Sequence, residues 1–224
     1  MLQANNIHKR YGTLDVLRGV SLTVNKGEIV SLVGPSGAGK STLLHIIGTL
    51  DKPDSGTVTI EAKNVSNLSA DSLAAFRNQR IGFIFQFHHL LPEFTAMENV
   101  CIPAFIAGNS KAKSEARAKE LLEMLKLSSR IHHKPSELSG GEQQRVAVAR
   151  ALMNNPAIIM ADEPSGNLDT NNARDLHQLF FELRDKLQQT FIIVTHNEEL
   201  ANMADRKVIM KDGQILSTTG SMEK

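Results

Sequence analysis

The stretch GPSGAGKS, Gly34 to Ser41, constrains the fold more than any other part of this 224-residue chain. It meets the spacing G-x-x-x-x-G-K-[ST] at every fixed position, and its flanks matter as much as its letters. Before it, EIVSLVG is a short β-branched run ending in glycine; after it, KSTLLHIIGTL has helical spacing. Strand, loop and helix in that order separate a phosphate loop from a chance glycine-rich turn. Gly34, Gly37 and Gly39 let the backbone wrap phosphates closely, and successive N–H groups at the helix start favour an anion. Lys40 is placed to reach β and γ phosphates, and Ser41 to ligate Mg²⁺. Pro35, Ser36, Ala38 and Thr42 complete the candidate nucleotide-binding run.

Two further apolar runs, AIIMAD (Ala157 to Asp162) and FIIVTH (Phe191 to His196), are too short for helices and end in polar residues. Between them RDLHQLFFELRDKL, Arg174 to Leu187, fits an amphipathic helix. Strands alternating with helices imply a mainly parallel sheet covered on both faces. IIMADE then delivers two carboxylates from a strand end. Alone they would be a solvated loop start; beside a phosphate loop, Asp162 is expected to hold Mg²⁺ and Glu163 to polarise the attacking water as general base.

Two regions depart from that pattern. VLRGVSLTV and GTVTIEAKNV alternate like a small antiparallel sheet near the N-terminus. The middle, about 86 to 152, reads as helical, with SEARAKELLEMLKL its clearest amphipathic segment. Formal charge is +1 with signs mixed, so no nucleic-acid-binding tail is expected. The single cysteine, Cys101, leaves no internal disulfide, and MLQANNIHKRYG has no apolar leader, which together suggest a cytosolic chain. No apolar run approaches the roughly 18 to 20 residues that span a bilayer, so any membrane role needs a partner.

In LSGGEQQRVAVARAL, Leu138 to Leu152, a serine and two glycines open a long helix. Ser139 is an N-cap candidate, and free N–H groups there make a second anion site. One chain has no use for two γ-phosphate sites; a second chain explains it.

Together, GPSGAGKS, LSGGEQ and IIMADEP in this order resemble the nucleotide-binding subunit of ABC transporters over essentially the whole chain. The resemblance implies an α/β P-loop NTPase (RecA-like) core with an N-terminal antiparallel β subdomain and a helical insertion of about residues 87–152, all within one domain, 1–224. It implies two copies dimerised head to tail, with ATP held between the phosphate loop of one and Ser139, Gly140, Gly141 and Glu142 of the other. Tyr11 matches the aromatic that stacks on adenine, Gln86 the glutamine that serves the ATP and Mg²⁺ site, and His196 the switch histidine at the γ-phosphate. Asn167, Leu168 and Asp169 match the loop that communicates across the dimer. Asn197 stands where many relatives carry aspartate and Ser165 where threonine is commoner; neither removes a catalytic group.

In that family the segment after the glutamine receives a coupling helix from a polytopic membrane subunit. QFHHLLPEFTAMENV supplies Phe87, Leu90, Leu91 and Phe94 for such a groove, although some of them are also candidates for the helical subdomain's own core. Adjacent His88 and His89 have no Cys or carboxylate companions and are not read as a metal site. The wording of this segment is similar to the lipoprotein-releasing branch of the family, placed on the cytoplasmic face of the inner membrane. Macrolide or peptide exporters and a cell-division complex are the alternatives, and a soluble ATPase on nucleic acid or ribosomes is a weaker one.

Overall fold

The computed structural model describes residues 1–220. Along the chain run β1 (Leu2–Tyr11), β2 (Leu14–Val24), β3 (Ile29–Val33), α1 (Lys40–Ile47), β4 (Ser55–Ile60), β5 (Lys63–Asn64), α2 (Ala70–Arg80), β6 (Ile81–Phe85), α3 (Ala96–Ile106), α4 (Lys111–Met124), α5 (Gly140–Leu152), β7 (Ile158–Asp162), α6 (Thr170–Leu187), β8 (Thr190–Val194), α7 (Glu198–Met203), β9 (Arg206–Lys211) and β10 (Gln214–Gly220). They form two compact units, one of residues 1–73, 160–163 and 181–220, the other of residues 74–159 and 164–180. Among the described residues no helix is long and apolar enough to cross a membrane.

The first unit holds two sheets. One has the order β2-β1-β4-β5, with β1 antiparallel to both β2 and β4. The opening residues, which the alternation pattern does not mark as a strand, are thus central to it. The reason is a register shift between Ala4 and Ile7, where Asn6 takes φ 50°. The buried positions Leu2, Ala4 and Ile7 therefore skip a beat, hiding the period of two.

The other sheet runs β10-β9-β3-β8-β7, with β3 parallel to β8 and β9, and β10 antiparallel to β9. Every residue of β3 and β8 is buried, as strands covered on both faces require. Arg206 of β9 is buried with Glu28 at 2.6 Å, and its Nη2 also donates to the Thr23 carbonyl, so its charge is paired and its Nε and Nη2 donors are used.

In the second unit β6 neighbours the first residues of β7, and α3, α4 and α5 pack around Val100, Ala104, Ala118, Leu121, Leu122 and Val146. A Cβ at Gly82 of β6 would lie 2.6 Å from the Ala151 carbonyl of α5, so the helix sits against bare backbone. The region read as helical from residue 86 becomes helix only at Ala96. Before it, buried Asn99 gives its amide protons to the carbonyls of Leu91, Phe94 and Thr95 and accepts the Leu91 N–H at 2.8 Å. That one side chain shapes the loop, a competition with helix that asparagine is built to win.

Candidate active site

The phosphate loop joins β3 to α1 in the first unit. Gly34 has φ 146° and packs its bare Cα against the Met210 carbonyl; Gly39, the N-cap of α1, has φ 94° with the Val16 carbonyl 2.9 Å from where a Cβ would stand. Neither position accepts a side chain. Pro35, Ser36 and Gly37 are exposed at the loop's tip, Ala38 is buried beneath, and Thr42 is half-buried in α1. Lys40 is buried, and its Nζ donates to the carbonyls of Gly34 at 2.9 Å and Pro35 at 3.0 Å. Burial lowers its pKa, and the carboxylates of Glu163 and Asp162 pull it back up.

Those carboxylates stand at the end of β7. Ser41 Oγ donates to Asp162 Oδ1 at 3.1 Å, and His45 Nε2 lies 3.9 Å from Asp162 Oδ2. Glu163 takes φ 48°; its N–H donates to the Val194 carbonyl at 2.9 Å, and its carboxylate meets His196. The backbone N–H of His196 donates to Glu163 Oε2 at 3.1 Å, with His196 Nε2 3.3 Å from Oε1. Burial raises the Glu163 pKa, against the opposing pull of His196. Ser41 and Asp162 bring two hard oxygen donors together, the chemistry Mg²⁺ accepts when phosphate and water fill its other positions. Among the described residues no group of three or more His, Cys, Asp or Glu side chains is placed to hold a metal ion.

Tyr11 ends β1 in the same unit, half exposed. Its hydroxyl donates to Asp51 Oδ2 at 2.5 Å, and Lys9 Nζ, paired with Asp51 at 2.9 Å, lies 4.9 Å from the ring centroid. The ring is held at its edge and covered by a cation, with surface to spare. Asp51 belongs to no motif and no periodic run. His45 also belongs to no motif, yet it lies one helical turn after Ser41, a spacing that sets both on one face.

The second unit holds the remaining candidates. Gln86 follows β6, and its Nε2 donates to Asn167 Oδ1 at 2.8 Å while Asn167 Nδ2 donates back to the Gln86 carbonyl at 3.2 Å. Two residues assigned separate tasks from sequence are partners. Asp169 accepts the N–H groups of Asn171 and Asn172 at the start of α6. Ser139 caps α5 in a capping box: its Oγ accepts the Glu142 N–H, and Glu142 Oε2 accepts the Ser139 N–H at 2.8 Å. Glu142 Oε1 also takes the Arg130 guanidinium at 2.8 Å, which with the cap lowers its pKa. A Cβ at Gly141 would lie 2.5 Å from Asn172 Oδ1, whereas one at Gly140 would meet Leu168 Cδ2 at an ordinary 3.8 Å.

Of the groove candidates, Phe87, Leu91 and Phe94 are exposed and Leu90 is half-buried. Arg150 of α5 donates to the carbonyls of His88 and His89, both at 2.7 Å, holding the loop from beneath. His89 takes φ 47°, and its ring meets Phe85 edge-on at 5.6 Å.

A strand-loop-helix cradle with a buried lysine, a Ser–Asp oxygen pair and a half-buried carboxylate beside them defines a nucleoside triphosphatase of the phosphate-loop type, an α/β fold with an antiparallel β subdomain and a helical insertion. The sequence matches the ABC transporter family over residues 17–166, and the chain belongs to that family as an ATPase. It is 63% identical to the lipoprotein-releasing system ATP-binding protein LolD of Bacteroides thetaiotaomicron, covering 96% of this chain and 99% of that one. The LolD of Cytophaga hutchinsonii is 61% identical with the same coverage. Among solved structures, the dimeric bacterial ABC transporter cassette MJ0796 is 40% identical over all of both chains, with a TM-score of 0.90. The same cassette in a dimeric post-hydrolysis state bound to ADP and Pi gives 0.89.

Proposed function

We propose that this chain, taken over 1–224 as one ATPase domain with a helical subdomain at about 87–152, powers release of lipoproteins from the inner membrane toward the outer membrane. Near-full-length identity to two lipoprotein-releasing ATPases supports the substrate class. The observation that carries the hydrolytic part is the Glu163 carboxylate, half-buried just after β7 and held by His196, next in sequence to the Asp162 that pairs with Ser41.

In this reading Lys40 exchanges its two loop carbonyls for β- and γ-phosphate oxygens, and N–H groups of residues 36–42 surround the phosphates. Ser41, Asp162 and Gln86 hold Mg²⁺, which when bound neutralises phosphate charge and aligns the leaving group. Glu163 takes a proton from water as its oxygen bonds the γ-phosphorus and the bond to ADP breaks, leaving ADP and phosphate. His196 fixes the carboxylate's direction and contacts the γ-phosphate, Gln86 completes the water and metal environment, and the exposed Tyr11 ring stacks on adenine. A second copy, head to tail, supplies Ser139, Gly140, Gly141 and Glu142, whose capped helix start offers N–H donors to the γ-phosphate. Asn167, Leu168 and Asp169 face that copy.

Phe87, Leu90, Leu91 and Phe94 receive coupling helices of membrane subunits of the LolC and LolE kind, so the chain works peripherally on the cytoplasmic face of the inner membrane without nucleic acid. Leu91→Glu tests the groove: ATP binding stays while lipoprotein release by the reconstituted complex falls roughly tenfold or more, as when a buried apolar anchor becomes a charge. Unchanged release would remove the groove from this position.

A further inference from the structure

We propose that Gln144 is the positioning residue through which the LSGGE helix sets the two loops that carry Gln86 and Glu163; this rests on the ATP-site reading above. Gln144 lies in the first turns of α5, three residues after Gly141, and is 0% exposed. Its Nε2 donates to the Pro164 carbonyl at 2.7 Å and reaches the Phe85 carbonyl at 3.4 Å. Pro164 is the residue after Glu163, and Phe85 the residue before Gln86. One buried amide therefore touches the backbone beside both groups, from the helix whose start is offered to the second copy.

The chemistry at this point favours placement over stability. Both neighbours are carbonyl oxygens, so the amide must turn its NH₂ toward them, and its Oε1 is left buried with no hydrogen-bond partner. A buried acceptor without a donor destabilises the fold, so the donor end is what the site uses. The segments it holds are also tied together. Gln86 and Asn167 bond reciprocally, His177 Nε2 meets Ser165 Oγ at 3.0 Å, and the Gln86 amide lies 2.9 Å from a Cβ at Gly166. With residues 164–167 so braced, a displacement of the start of α5 is carried to both loops at Gln144.

The test uses the full chain with Gln144→Met, which keeps length and removes the donor, and Gln144→Leu, which removes it with a second apolar shape. Expected for both are a kcat for ATP hydrolysis lowered roughly 10- to 100-fold, the cost of misplacing a reacting group by about 1 Å, and a KM within about twofold. Amide exchange should quicken at residues 85–91 and 164–169 and stay unchanged in α5 from 146 to 151. A kcat within about twofold of the parent overturns the proposal; so does faster exchange across the whole second unit, which marks a merely structural role. Glu163→Gln is run alongside: if it keeps turnover, the ATP-site reading fails, whereas loss there with a normal Gln144→Met isolates the failure to Gln144.

Discussion

His196 meets Glu163 at two points, its backbone N–H donating to Oε2 at 3.1 Å and its ring Nε2 standing 3.3 Å from Oε1. The carboxylate is thereby fixed in direction while burial raises its pKa above the ordinary 4.5. The two effects oppose each other, and burial prevails.

That balance predicts a pH dependence. Because the folded pKa is raised, the folded chain keeps this proton where the unfolded chain has lost it. Stability from the group is full below the unfolded pKa and is lost as pH rises through the folded one. Turnover runs the other way, since a base must be ionised, and falls as pH drops through the raised value. Carbon-13 carboxyl titration of the nucleotide-free chain should place Glu163 above 4.5, and His196→Ala should move it higher by removing an opposing pull. Titration at or below the ordinary value would contradict this.

Tyr11 gives a cleaner titration, because it is the only tyrosine and there is no tryptophan. Its hydrogen bond to Asp51, then burial and the carboxylates of Asp51 and Asp54, push it up to about 12. Its contribution to stability is present below the unfolded value of 10.0 and lost as pH rises toward about 12. Absorbance at alkaline pH should show that late transition, and Asp51→Asn should bring it back toward 10.0 while loosening nucleotide binding.

Two glycines of the phosphate loop should separate under mutation. Gly37→Ala meets nothing within 4 Å but adopts φ 79°, so it should cost only backbone strain, roughly 1 to 3 kcal/mol. Gly34→Ala adds a collision with the Met210 carbonyl and should cost clearly more. Urea denaturation of both variants checks the order.

Much of this was legible in letters because it depends on local periodicity. The apolar runs before Gly34, Asp162 and His196 are β3, β7 and β8, and the helical spacing from Lys40 and Arg174 is α1 and α6. What stayed hidden depends on contacts distant in sequence or on broken periods. β1 is masked by its register shift at Asn5 and Asn6; the loop from Gln86 to Thr95 is shaped by buried Asn99 rather than by its own propensities. Asp51 and Gln144 act through partners 40 and 59 residues away, a distance no spacing rule covers. The sequence paired Ser41 and Asp162 through a motif; it offered no reason to pair Gln86 with Asn167, which the two reciprocal hydrogen bonds make plain.

The proposed role of Glu163 is to accept the proton from the attacking water. Single-turnover ATP hydrolysis by Glu163→Gln, with ATP affinity measured on the same preparation, tests it most directly. Affinity should stay unchanged and the hydrolysis rate fall by roughly 10² to 10⁴, the scale of a lost general base; near-normal turnover would mean that another group takes the proton.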